Sequence, residues 1–341
     1  MCEYFSFFKN RLLGRSFVFP DKSFHKWPGA VFSLSVTLFF CALNFLPISA
    51  SSGDRYGITD YFDMPLEYGE VIYRIHGSSP KQLYIIGISH RNPQNGINDS
   101  TTIQTQTDIF RIGEWLNRNR KLQLLLPEGY FDEIDNSPAI SQSLKNVRNQ
   151  SSGQVDNVFL QKKFADESCF VNAEMLLMQN FDMRVCQVED KPIYDAVRNS
   201  LHNLKQPDIT GDAPLTERLA ELQYLQETRT AKLLQKIPSL IDNAVYDGTV
   251  RDRSAMFTIG LNHIQDIVRY FQNDAISITL PSSERFQPTS YKTELNLIKN
   301  GYGVTIIIPR TLANDRKLLQ MTNLDRIFPA DGDQLQQTRI N

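Results

Sequence analysis

The chain lacks the signatures of several common enzyme classes. Nothing in its 341 residues reads GxSxG, GxGxxG or a P-loop, so serine hydrolase, Rossmann dehydrogenase and nucleotide hydrolase chemistry have no local support. It has no HExxH and no CxxC, which removes the helical zincin site and cysteine-bound zinc. An excess of one charge is lacking too. The 36 Lys+Arg and 38 Asp+Glu leave a formal net charge of −2, which gives no global electrostatic case for nucleic acid. Histidine is scarce at five, and cysteine scarcer at four. The rest is an ordinary globular composition, 41% hydrophobic and 22% charged, with length for one large domain or two small ones.

Charge is absent altogether from Ala30 to Ile48, AVFSLSVTLFFCALNFLPI. Such a run, as helix, spans about 28 Å, close to the roughly 30 Å of bilayer hydrocarbon. Lys9, Arg11, Arg15, Lys22 and Lys26 precede it, against only Glu3 and Asp21. That bias predicts the N-terminus inside and residues 51–341 on the extracytoplasmic side. Pro47 and the small residues after it also suit a signal-peptidase site, so a membrane anchor and a secreted product are both compatible. The expected organisation is a basic cytoplasmic leader over 1–29, a transmembrane segment or signal core over 30–50, and a linker over 51–68. An α/β domain over 69–330 and a tail over 331–341 follow. Cys169 and Cys186 fall in the exported part, where a disulfide or two separate buried thiols fit equally well.

Short apolar strands alternate with helical stretches along the domain. Strands are expected at Val71–Ile75, Gln82–Ile86, Leu122–Leu126, Met183–Val188, Ala255–Ile259, Ala275–Leu280 and Tyr302–Ile308, the first two as a hairpin-like pair. Helices are expected at Thr101–Asn117 with Ser100 or Thr101 as N-cap, and at Asp166–Asn180. Others are expected at Leu215–Ile237 (stopped by Pro238), Ile264–Gln272 and Lys292–Lys299, the last closed by Asn300-Gly301. The fold class is α/β, a central mixed sheet with helices on both faces.

In such sheets ligands bind beyond the carboxyl ends of the strands. Gly87-Ile88-Ser89-His90 follows one strand and Gly260-Leu261-Asn262-His263 another, both Gly-x-x-His. Glu128 follows a third, and Glu189 and Asp190 a fourth. Two imidazoles and one or two carboxylates suit a divalent metal ion with an open position for water, and a spare carboxylate suits a general base. The same groups have structural uses. Glu128 can cap a loop, and Glu189 or Asp190 can cap a helix opening at Lys191-Pro192. Arg229, following Glu227, fits a solvated helix face. His76 reads as a turn residue, and His25 and His202 lie off the site.

Gly87–His90, Leu125-Leu126-Pro127-Glu128, Glu227-Thr228-Arg229, Phe257–His263 and Leu297–Val304 occur in the order seen in the TraB/PrgY/GumN/TIKI superfamily, which the chain resembles over roughly residues 70–310. Ile88 stands where that family has threonine, and Leu261-Asn262 where it has small residues. The resemblance implies a fold shared with erythromycin esterase-like and ChaN-like proteins, and a membrane-tethered metal-dependent protease activity known for animal members. It makes His90 and His263 metal ligands, Glu128 ligand or general base, and Arg229 an orienting residue. With Glu189 from strand-end placement, the expected metal set is His90, His263, Glu128 and Glu189. The expected partners are a peptide or small-molecule substrate and, through residues 30–50, a membrane, with no nucleic acid. The competing expectation is a non-catalytic protein holding haem, a small ligand or a peptide in the same crevice.

Overall fold

The computed structural model describes residues 62–89, 99–131, 155–166, 171–205, 215–280 and 289–327. The basic leader, the uncharged segment, His90, Cys169 and the tail lie outside them, and with them the expected membrane span and disulfide. Among the described residues no helix is long and apolar enough to cross a membrane.

The strands are β1 (Gly69–Ile75), β2 (Gln82–Ile88), β3 (Leu124–Pro127), β4 (Arg184–Val185), β5 (Ser254–Gly260), β6 (Ala275–Leu280), β7 (Thr289–Glu294) and β8 (Gly303–Pro309). Interleaved with them are α1 (Ser100–Arg120), α2 (Asn157–Phe164), α3 (Ala173–Phe181), α4 (Lys191–Lys205), α5 (Leu215–Tyr246), α6 (Leu261–Gln272), α7 (Asn296–Lys299), α8 (Arg310–Ala313) and α9 (Arg316–Met321). Six strands form one mixed sheet in the order β1-β8-β2-β5-β3-β4, with β1 antiparallel to β8 and the other pairs parallel. β6 and β7 form a separate antiparallel ribbon.

The expected central mixed sheet is present, and the period-two alternation of its strands supplies two cores. Leu83, Ile85, Phe257, Ile259, Val304 and Ile306 face α5 and α6, where Leu233, Leu234, Ile237, Ile264, Ile267 and Phe271 cover them. Tyr84, Ile86, Leu125, Met256 and Ile307 face α1, α2 and α3, against Ile109, Phe110, Ile112, Leu160, Leu176 and Leu177. Each fully buried aliphatic side chain contributes about 1.5–3 kcal/mol before entropy is charged against it. Strands apolar on both faces are the mark of parallel pairing under two helical layers.

Several local expectations are corrected. β1 and β2 are not a hairpin, because β8 lies between them and pairs with both. α5 does not stop at Pro238 but runs on to Tyr246. The proline has no N–H to give, a loss of about 3 kcal/mol in a helix interior. Ile237, Ile241 and Ala244 nonetheless keep the apolar face buried on both sides of it. The stretch expected as one helix from Asp166 begins instead at Ala173, capped by Asn172, whose side chain accepts from the Met175 N–H at 2.9 Å. Asp99, not Ser100 or Thr101, caps α1, accepting from the Thr102 N–H at 2.7 Å. Lys292 to Glu294 is strand rather than helix, paired with β6, and only Asn296–Lys299 is helical.

Candidate functional site

β5 ends at Gly260 and α6 begins at Leu261, so His263 sits in the first turn of that helix, inside it rather than ahead of it. Gly87, at the end of β2, lets this turn lie close. A Cβ there would stand 2.7 Å from Leu261 Cδ2 and 2.8 Å from Ile308 Cδ1. The first Gly-x-x-His glycine therefore makes room for packed side chains.

Glu128 directly follows β3. Its backbone N–H donates to Thr258 O at 2.9 Å, continuing the ladder one residue past the strand and aiming the side chain at the end of β5. Gly129, at φ +74°, turns the chain in the left-handed region that glycine enters without steric cost. The Glu128 carboxylate accepts the Gly260 N–H at 2.5 Å on Oε2 and Arg229 Nη1 at 2.8 Å on Oε1, with 6% of its side chain exposed.

Arg229 is buried, not on a solvated face. It leaves α5 just beyond the part of that helix that covers the sheet, and its guanidinium joins two carboxylates. Nη1 goes to Glu128, while Nε (3.1 Å) and Nη2 go to the two oxygens of Glu189. Glu189 also accepts the Gly129 N–H at 3.0 Å and is closed off from solvent. Burial alone would lower the Arg229 pKa, but Glu128 and Glu189 outweigh it and push it further up, so the guanidinium is a fixed cation. The Tyr194 ring from α4 lies 5.2 Å from it, edge-on to Phe131. The adjacent pair Glu189-Asp190 divides its roles. Glu189 enters the network, and Asp190 caps α4, accepting from the Ile193 N–H at 3.4 Å.

The His263 ring is oriented from α5. The Thr230 hydroxyl donates to Gln226 O at 2.9 Å, so its oxygen is left to accept from His263 Nδ1, 2.7 Å away. The neutral ring is therefore the Nδ1–H tautomer, and Nε2 carries the lone pair. Nε2 stands 3.8 Å from Glu128 Oε1, too far for a hydrogen bond. Two ligands at about 2.1 Å from one ion can stand up to about 4.2 Å apart, so the pair fits a divalent ion. Among the described residues, no three His, Cys, Asp or Glu converge to hold a metal ion.

The structure thus brings Glu128, Glu189, Arg229 and His263 together at one edge of one sheet, and His90 lies outside the described residues. Sequence reasoning missed Thr230, whose position one turn after Gln226 on α5 gave no signal without the partner helix. It also missed Asp266, which lies near Glu227 on the same α5–α6 seam. Burial, with Glu227 adding to it, raises Asp266 to about 6 against the pull of Arg269 at 2.8 Å. A quarter of the Asp266 side chain still meets solvent, at 26% exposed.

Against family models, curated proteins and solved structures, the chain gives no match. The class that fold and site define is therefore a mixed α/β protein with a His–Glu–Arg crevice at the carboxyl edge of its sheet.

Proposed function

We propose that this crevice is the active site of a metal-dependent hydrolase acting on peptide bonds, carried on the extracytoplasmic side of a membrane by residues 30–50 or released from it. The observation that carries the reading is His263 Nε2 standing 3.8 Å from Glu128 Oε1, with Nδ1 held by the Thr230 hydroxyl. His263 and Glu128 would hold a divalent ion together with His90, which in sequence stands two positions after the end of β2. The ion would supply Lewis-acid polarisation of the scissile carbonyl and acidify a water beside it. Thr230 holds the imidazole in the tautomer this needs, and Arg229 fixes Glu128 while remaining a cation beside developing negative charge. Glu189, with both oxygens on Arg229, serves to hold the guanidinium. The order of the Gly-x-x-His, Glu, Glu-x-Arg and Gly-x-x-His elements supports membership of the TraB/PrgY/GumN/TIKI superfamily, and with it the peptidase reading.

The test is zinc and manganese binding by the purified full chain, with hydrolysis of a mixed peptide library. Stoichiometric metal is expected in the native chain, with loss in His263→Ala and His90→Ala. Loading unchanged by both substitutions would sink the proposal. One feature favours the competing reading, a non-catalytic binding crevice: all four oxygens of Glu128 and Glu189 already have donors at rest. That reading expects ligand binding, as a haem Soret band or peptide retention, that His263→Ala leaves metal-independent.

A further inference from the structure

The donors described around the carboxyl-edge crevice are largely committed to its carboxylates. The Gly260 N–H donates to Glu128, and the Gly129 N–H to Glu189. Arg229 gives Nη1 to Glu128, and Nε and Nη2 to Glu189. The Lys191 ammonium, at the start of α4, goes to Asp195 at 2.8 Å. One donor stands apart. Tyr194 lies in the first turn of α4, where its backbone N–H closes the turn on Asp190 O at 2.9 Å. Its ring centre is 5.2 Å from the Arg229 guanidinium, and Phe131 meets it edge-on at 5.0 Å. Its hydroxyl makes no hydrogen bond with a described residue. Nor is that hydroxyl sealed off. The Tyr270 hydroxyl is buried without a partner, whereas the Tyr194 oxygen, on a half-buried residue, keeps contact with solvent.

The phenol feels the charges of the crevice. Burial pushes its pKa above the ordinary tyrosine range, Arg229 pulls it back, and Glu189 and Glu128 raise it again. It therefore stays protonated at neutral pH and has a hydrogen to give. Amide hydrolysis needs such a donor. As water attacks the carbonyl carbon, the C=O π pair moves onto oxygen, and a preorganised donor there lowers the barrier. A suitable group keeps its proton, is uncommitted at rest and is held in place. The contacts of the Tyr194 ring with Arg229 and Phe131 supply the last of these.

We infer that Tyr194 is a further catalytic residue, its hydroxyl donating a hydrogen bond to the substrate carbonyl oxygen as negative charge develops there. The proton stays on the phenol, so no bond of the tyrosine is made or broken. The inference rests on the hydrolase reading of the crevice. The experiment compares the native full chain with Tyr194→Phe, which keeps the ring against Arg229 and Phe131 and removes only the hydroxyl. Metal loading, hydrolysis of a peptide drawn from the mixed library, and binding of the phosphinic analogue of that peptide are measured. The tetrahedral phosphinate stands in for the oxyanion. Metal loading is expected to be unchanged and KM to stay within about threefold, while kcat falls about 100–1000-fold. Phosphinate affinity should fall about 10–100-fold. A kcat within about threefold of native, a change confined to KM, or loss of metal loading in Tyr194→Phe would each overturn the assignment and leave the hydrolase reading standing. A native chain that neither hydrolyses peptide nor binds phosphinate would remove that reading, and the role of Tyr194 with it.

Discussion

Replacing Arg229 by methionine keeps most of the side-chain volume and removes the one cation between two buried carboxylates. Its guanidinium makes three contacts, one to Glu128 and two to Glu189, from a side chain only 6% exposed. Charge-assisted hydrogen bonds contribute about 1.5–3 kcal/mol each. The simple sum overshoots, because the Gly260 and Gly129 N–H groups remain as donors to Glu128 and Glu189. Removing one partner of a buried pair typically costs about 3–5 kcal/mol, and with two of the five carboxylate donors retained we expect about 4 kcal/mol. That is a large part of the 5–15 kcal/mol a domain usually has. Urea unfolding followed by tryptophan fluorescence and circular dichroism measures it. The companion Arg229→Met/Glu189→Gln double variant removes the stranded charge and should recover at least about 2 kcal/mol. A loss under about 1 kcal/mol for Arg229→Met, or no coupling in the cycle, would refute the buried-network account.

Three further outcomes follow from particular contacts. Thr230→Val removes the acceptor that fixes the His263 tautomer, and should lower divalent metal affinity about 10–100-fold with little change in fold; unaltered affinity in a zinc competition assay counts against the tautomer argument. Gly87→Ala places a methyl under 3 Å from Leu261 Cδ2 and Ile308 Cδ1, and should cost about 1–3 kcal/mol in chemical unfolding. Asp266, raised to about 6, binds its proton more tightly folded than unfolded, so its contribution is greatest below about pH 4 and is lost as pH rises through 6. The two-unit span sets a ceiling of about 3 kcal/mol, and partial exposure reduces it to about 1–2. Asp266→Asn should flatten that stretch of the stability profile, and an unchanged slope between pH 4 and 6 would contradict the assignment.

Much of the sheet was legible because its strands are apolar on both faces. Leu83 to Ile86 and Ala255 to Ile259 cannot be half-exposed strands, so two covering layers followed directly. Strand order was not legible. β8 enters between β1 and β2 because Gly303–Pro309 is buried throughout and apolar but for Thr305, and so needs a central position, whereas β1 carries Glu70 and Arg74 and takes the edge. The length of α5 was misjudged at Pro238, since a local penalty was weighed without the buried surface beyond it. For the site, strand-end placement found Glu128, Glu189 and His263, because chain direction alone sets which edge they occupy. Burial of Arg229 was missed, since a charged residue on an amphipathic helix reads as solvated until its two carboxylate partners, 40 and 101 positions away, are in place.

The two ends of the sheet handle polarity differently. At the carboxyl edge Glu128, Glu189 and Arg229 are matched to one another and to the Gly260 and Gly129 N–H groups, and His263 Nε2 stands 3.8 Å from Glu128 Oε1. At the amino edge, Gln82 Oε1 and Ser254 Oγ are buried without a hydrogen-bond partner, at a cost of about 1–3 kcal/mol each that the packing around them must offset.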